Sequence, residues 1–175
     1  KEDVFANASG WVVKGGSTMT GNGNTNATPE VLVALGSLAT SLGQATIDAV
    51  DWATTAFDVS AGGTLQVDVH FNEQVTVATA APLMVVTNSQ AGGGSAANFT
   101  LTMDGTLPVT SDKLTFSTTI GAGGTTIVAD DVLSIGAQSI NLNGGTIVDT
   151  IGGGNAERAI SAAQGTAGGT ITAVA

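Results

Sequence analysis

Apolar and polar residues alternate most regularly between Thr64 and Val77. A period of two is typical of a β-strand that has one face in a hydrophobic core and the other in water. Two polar residues interrupt the alternation, so we expect a bend followed by a second strand. The apolar positions are Leu65, Val67, Val69 and Phe71, then, after the interruption at Asn72 and Glu73, Val75 and Val77.

Similar segments recur about every 10–15 residues between Gln44 and Ser161, as in all-β sandwiches. They are rich in Val, Ile, Thr and Phe, which favour strands, and Gly, Ser and Asn lie between them, as in turns. The segments are residues 45–52, 82–88, 98–105, 113–120 and 129–136, with shorter ones around Ile140, Ile147 and Ile160. The pattern predicts a mainly β protein with an antiparallel β-sandwich over residues 44–161.

Residues 28–43 have the spacing of a helix instead. Thr28 is a suitable N-cap, Pro29 suits the first helical position, and Gly43 suits the C-cap. Apolar residues recur on one helical face at Val31, Leu32, Leu35, Leu38, Ala39 and Leu42. We therefore predict one short α-helix in front of the sandwich.

The first 28 residues have no regular period. Phe5, Trp11 and Val13 are apolar anchors, and a tract rich in Gly and Asn follows them over residues 15–28. Two interpretations stay open: a terminal strand that packs on its own domain, or an arm that lies along a neighbouring subunit. The predicted organisation is an arm and helix over residues 1–43, the sandwich over 44–161, and an extended C-terminal tail over 162–175. The tail is predicted as an edge strand of its own sheet or as a partly mobile segment, and pairing with the exposed edge of a neighbour stays open.

Charge and composition exclude several functions. The chain has 4 Lys and Arg against 14 Asp and Glu, for a net charge of -10. Such a chain has no basic surface for a phosphate backbone or an anionic bilayer, so we expect neither nucleic acid nor membrane as a partner. It has no apolar run of signal-peptide or transmembrane length. Because it also lacks cysteine, disulfides, thiolate metal sites and thiol catalysis are excluded.

Candidate chemistry is sparse. His70 is the single histidine and is predicted on the solvent face of a strand, so no catalytic triad is indicated. We predict no catalytic residue, no metal ligand and no cofactor. Calcium is kept as a hypothesis because Asp130, Asp131, Asp149 and Asn155 offer oxygen ligands, although no EF-hand spacing is present.

Several segments resemble, in order, those of bacterial and phage Ig-like modules. They are LQVDVHFNEQVTV (residues 65–77), KLTFSTTI (113–120), DDVLSI (130–135) and INLNGGTIVDTIGGGNA (140–156). The resemblance covers residues 44–161, and the GGG before Asn155 and the Gly-rich loop near Gly92 depart from it. It implies an Ig-like antiparallel β-sandwich.

The N-terminal segments EDVFANASGWVVK (residues 2–14) and PEVLVALGSLATSLG (29–43) are similar to small virion-associated proteins of marine tailed phages. This resemblance implies a capsid decoration or accessory protein on the virion surface. Its partners would be the major capsid protein or other virion subunits, and a homo-oligomer is expected. The predicted contact residues are Phe5, Trp11, Val13, Leu32 and Leu35.

Two alternatives remain. The chain would also suit an Ig-like module of an adhesin on a bacterial cell surface, or a carbohydrate-binding module. The latter needs exposed aromatic platforms, and only Trp11 and Trp52 are available as tryptophans.

Overall fold

The computed structural model of the protein describes residues 3–7, 10–19, 23–34 and 44–175. Strands account for 48% of it and helix for 4%, which confirms a mainly β protein. The chain divides into two compact units, Lys1–Gly43 and Gln44–Ala175.

The first unit contains a three-stranded antiparallel sheet in the order β1-β2-β3. Its strands are β1 (Val4–Asn7), β2 (Gly10–Val13) and β3 (Glu30–Ala34). The β1–β2 hairpin pairs Val4 with Val13, and an ion pair of 2.7 Å between Lys14 Nζ and Asp3 Oδ1 lies just beyond it. The register between β2 and β3 shifts between Trp11 and Val12, as at a β-bulge.

The prediction of a helix from Thr28 is wrong where the structure can test it. Glu30–Ala34 is a strand paired with β2, and the remainder of the predicted helix, residues 35–43, lies outside the described residues. Val31 and Val33 also fit a period of two, and β-branched side chains favour strands over helices. Pairing with β2 therefore prevails over the capping signals at Thr28 and Pro29.

The strands of the second unit are β4 (Ile47–Trp52), β5 (Phe57–Asp58), β6 (Gly63–Ala78), β7 (Leu83–Asn88), β8 (Asn98–Met103), β9 (Val109–Ile120), β10 (Val132–Ser134), β11 (Gln138–Ser139), β12 (Thr146–Asp149), β13 (Ala159–Ile160) and β14 (Thr170–Val174). Nine of them form a curled sheet in the order β12-β6-β9-β8-β7-β10-β14-β5, with β4 also paired to β6. All strand pairs of this sheet are antiparallel except β14–β5. The other two strands, β11 and β13, pair with each other.

Strand β6 is the longest strand of this sheet and pairs with three others. It pairs along its length with β9, and its other edge is shared by β4 and β12. The predicted bend is an irregularity inside one 16-residue strand, because the β6–β9 register shifts between His70 and Val75. The segment between them, which includes Glu73, is therefore displaced from the regular ladder.

The core follows the predicted alternation. Every apolar position of β6 from Leu65 to Val77 is buried, and β9 contributes Leu114 and Phe116 from the facing register. Fully burying a side chain of this size stabilises the fold by about 1.5–3 kcal/mol. The largest fully buried side chains of the second unit are Phe116, Leu65, Met84, Leu101, Leu114, Leu133, Ile135, Ile140 and Ile147.

The C-terminal segment differs from the predicted extended tail. It begins with a helix, α1 (Ala162–Ala167), whose N-cap Ser161 forms a capping box with Gln164. Strand β14 then lies between β10 and β5, and is not an edge strand. In the part of the chain that is described, no helix is long and apolar enough to cross a membrane.

Candidate functional site

The first unit exposes apolar side chains on two neighbouring strands. Trp11 in β2 is 48% exposed, and it pairs across the sheet with Val33 of β3. Three consecutive residues of β3, Val31, Leu32 and Val33, are each about half exposed. We call Trp11, Val31, Leu32 and Val33 the N-terminal apolar surface.

The β-bulge explains why β3 exposes consecutive apolar residues. Val33 lies opposite Trp11 and Val31 lies opposite Val12, so Leu32 is an additional residue on β3. In a regular strand, neighbouring side chains would point to opposite faces. At a bulge this alternation is interrupted, and here all three side chains reach solvent.

The five predicted contact residues have different outcomes. Trp11 and Leu32 lie on the N-terminal apolar surface. Val13 is fully buried within the chain, so its side chain is not part of this surface. The backbone of Phe5 lies in β1, but its side chain is outside the described set, and so is Leu35.

Val31 and Val33 were not predicted as contact residues. Both were placed within a helix, in which Val31 belonged to the apolar face. The alternation of Val31 and Val33 on either side of Leu32 was the available signal, and it was overridden by the apparent helix caps.

Asp131 is a buried carboxylate that fixes two loops of the second unit. Its Oδ1 accepts hydrogen bonds from the Gly92 and Gly94 amides, and its Oδ2 accepts from Asn88 Nδ2 and the Val128 amide. Burial raises the pKa of Asp131, but these four hydrogen bonds outweigh it and hold the pKa below its usual value. Both oxygens of Asp131 already accept hydrogen bonds, so this carboxylate has no open oxygen to offer a calcium ion.

Glu73 and Asp149 form a second group of carboxylates. Asp149, at the end of β12, is 1% exposed, and Glu73 lies in the irregular segment of β6. One oxygen of each, Glu73 Oε1 and Asp149 Oδ2, is buried without a hydrogen-bond partner. Burial and the charge of Asp149 raise the pKa of Glu73.

His70 lies on the polar face of β6. Its Nε2 is 3.7 Å from Asp51 Oδ2, and its side chain is 40% exposed. No hydroxyl among the described residues is hydrogen-bonded to this imidazole, so the arrangement lacks the nucleophile–base pair that acyl transfer requires.

A cavity of about 320 Å³ lies in the second unit near its N-terminal end. Three of its polar side chains form hydrogen bonds with the main chain. Gln44 donates to the Asn155 carbonyl, Glu157 accepts from the Ile47 amide, and Arg158 donates to the Ile140 carbonyl. They stabilise the walls of the cavity and form no catalytic set with one another. The lining residues are Gln44, Ser139, Leu142, Ile147, Asn155, Ala156, Glu157, Arg158 and Ala159.

The two tryptophans differ in exposure. Trp52 is partly buried against the hydrophobic core, and its Nε1 donates to the Gly169 carbonyl at 3.2 Å. It therefore does not offer the open ring face of a sugar platform, whereas Trp11 is half exposed.

Metal chemistry and comparisons with known proteins give no assignment of function. Over the described ranges there is no group of three or more His, Cys, Asp or Glu residues that could hold a metal ion. No protein-family model matches the chain, and neither a curated protein nor a solved structure is detectably similar to it. What the protein does must therefore be inferred from its own residues.

Proposed function

We propose that the chain is a non-enzymatic structural protein of a phage particle, a capsid decoration or accessory protein. In this proposal the first unit attaches to a capsid subunit, and the second, an Ig-like β-sandwich, is displayed. The observation that carries the proposal is the N-terminal apolar surface, in which Trp11 lies beside three consecutive apolar residues of β3.

This surface has the composition of an attachment site. Exposed apolar side chains that are grouped together mark interaction surfaces more often than single exposed ones do. Tryptophan is enriched among the residues that dominate binding energy, because it buries a large area with few rotatable bonds. Trp11 is therefore the expected central anchor, with Leu32 and Val33 beside it.

The position of the surface supports the same function. It lies on strands whose pairing limits the conformational entropy that is lost on binding. In the described sheet, β3 is an edge strand, and an edge strand can add main-chain hydrogen bonds to a partner strand. The unit also forms a compact body separate from the sandwich, so attachment and display can be assigned to different parts of the chain.

The experiment measures binding of the purified chain to particles of the phage whose genome encodes it, after the native copies have been stripped. Co-sedimentation is compared for the wild type, the double variant Trp11→Ser/Leu32→Ser, and the control Val174→Ser. Val174 is 50% exposed and lies in the second unit, so it matches Leu32 in exposure but not in location.

We expect the double variant to bind at least about 30-fold more weakly, as when a residue that contributes about 2 kcal/mol is lost. The control should bind like the wild type. Equal binding of all three proteins would overturn the assignment of this surface. Absence of the chain from purified particles would overturn the virion assignment, and a gene with tandem modules would then favour a cell-surface adhesin.

A further inference from the structure

The irregular segment of β6 brings two acidic residues together that are far apart in the sequence. Asp149 of β12 pairs with Val75 of β6, and the Thr150 amide donates to the Gln74 carbonyl at 3.0 Å. These contacts fix the end of β12 beside the segment that contains Glu73. Glu73 lies two residues before Val75, the partner of Asp149, so both carboxylates belong to the same end of the β6–β12 pair.

Asp149 uses only one of its carboxylate oxygens within the fold. Its Oδ1 accepts hydrogen bonds from the Ile151 and Gly152 amides, both at 2.7 Å. Its Oδ2 is buried and has no partner. A buried carboxylate oxygen without a partner is costly, because it has lost its water and gained nothing in exchange.

Glu73 also has a buried carboxylate oxygen without a hydrogen-bond partner. This oxygen is Oε1, although the residue as a whole is partly exposed. Two like charges at one desolvated place repel each other, which is one reason why the pKa of Glu73 is raised. A positive charge shared by the two unpartnered oxygens, either a proton or a bound cation, would remove this cost.

We propose that Glu73 Oε1 and Asp149 Oδ2 are ligands of a calcium ion bound between β6 and the turn that follows β12. Two carboxylates balance the charge of a divalent cation, and oxygen is the ligand that Ca²⁺ prefers. Calcium tolerates irregular coordination completed by water and main-chain carbonyls, whereas zinc requires nitrogen or sulfur ligands that this place does not offer.

The site would act on the stability of the second unit. The ion would connect the irregular segment of β6 to the turn over residues 149–155, which contains Gly152, Gly153 and Gly154. Glycines leave the unfolded chain more freedom, so this turn loses much entropy on folding. Binding to the folded state alone raises stability according to the ratio of free calcium to its dissociation constant.

The test uses the complete chain, first treated with a chelator. Thermal unfolding is followed in EDTA, in millimolar CaCl2, in MgCl2, and in NaCl of the same ionic strength, and calorimetric titration measures the stoichiometry. We expect one calcium per chain and a rise in Tm of about 3 °C or more, which is not reproduced by NaCl.

The decisive variant is Glu73→Gln, with Asp130→Asn as its control. Both remove one negative charge, but Asp130 is exposed and precedes β10, a strand that pairs with β7 and β14 and not with β6 or β12. Glu73→Gln should lose the calcium-dependent rise in Tm, and Asp130→Asn should retain it. Asp149→Asn provides a second test, read by calcium stoichiometry because it also alters the turn.

Either of two results would overturn the proposal. A wild-type Tm that does not respond to calcium would mean that no ion binds, and a Glu73→Gln variant at least as stable as the wild type would then show that the pair shares a proton. Equal calcium responses in Glu73→Gln and Asp130→Asn would mean that the ion only screens the net charge of the chain.

Discussion

Asp68 and Lys113 form an ion pair across the two longest strands of the sheet, with Asp68 Oδ2 2.7 Å from Lys113 Nζ. The second carboxylate oxygen of Asp68 accepts a hydrogen bond from Thr115 Oγ1 at 2.6 Å. Burial raises the pKa of Asp68, but these two partners outweigh it and hold the pKa below its ordinary value.

Lys113→Met should reduce the free energy of unfolding at neutral pH by no more than about 1 kcal/mol, because the lysine is half exposed and water screens the pair. The pKa of Asp68 should rise in this variant, since a favourable charge is lost. Urea unfolding would give the first quantity and NMR titration of the carboxyl the second. Lys14→Met, which removes a lysine of the first unit, should leave the pKa of Asp68 unchanged.

Asp131→Asn should destabilise the protein much more strongly. Asparagine has one side-chain acceptor oxygen, whereas aspartate has two. Its NH2 group would therefore lie against N–H donors that have lost their acceptor. The expected loss is about 2–3 kcal/mol of unfolding free energy, measured by urea unfolding at pH 7. Asp130→Asn is the matched control, because Asp130 is exposed and has a φ of 72°, which asparagine tolerates.

The stability lost in Asp131→Asn should depend on pH. The folded pKa of Asp131 is lowered, so its contribution to stability is fully present above the unfolded value of about 3.9 and is lost as pH falls through the folded pKa. The difference between wild type and Asp131→Asn should therefore be constant from pH 7 to about pH 5 and shrink in stronger acid. A difference that grew on acidification would contradict this assignment.

Gly165→Ala should be destabilising although it lies in a helix. Helix propensity alone predicts a gain of about 1 kcal/mol for alanine over glycine. However, an added Cβ would lie 2.5 Å from the backbone carbonyl carbon and oxygen of Gly136, so the helix would have to move away from that loop. We expect a net loss of about 1–3 kcal/mol by thermal or urea unfolding.

Thr166→Ala provides the comparison for Gly165→Ala. It tests the same helix at an exposed position and should be neutral or slightly stabilising. A stabilised Gly165→Ala variant would show that α1 can shift freely on the sheet.

The core and strand β6 were predictable because they depend on local periodicity. Alternation placed Leu65, Val67 and Val69 inside, and this is where they lie. The N-terminal strand β3 was mistaken for a helix because its apolar residues fit both periods, and pairing with β2 decided between them. The residues of β3 alone do not show that β2 will pair with them.

The acidic pair could not be predicted for a different reason. Glu73 and Asp149 belong to strands whose register is set by the irregularity in β6, and neither residue has a sequence neighbour that signals the other. The hypothesis of calcium at Asp149 and Asn155 named one of the two carboxylates. The N-terminal apolar surface was partly predicted through Trp11 and Leu32, while Val31 and Val33 required the strand to be seen.

The place of β14 in the sheet also affects how the protein is made. This strand lies between β10 and β5, so the short strand β5 has its sheet partner more than a hundred residues further along the chain. During synthesis, β14 must emerge from the ribosome before it can pair with β10 and β5. Until then the edge of β10 that β14 covers stays unpaired, and an unpaired edge can pair with other chains.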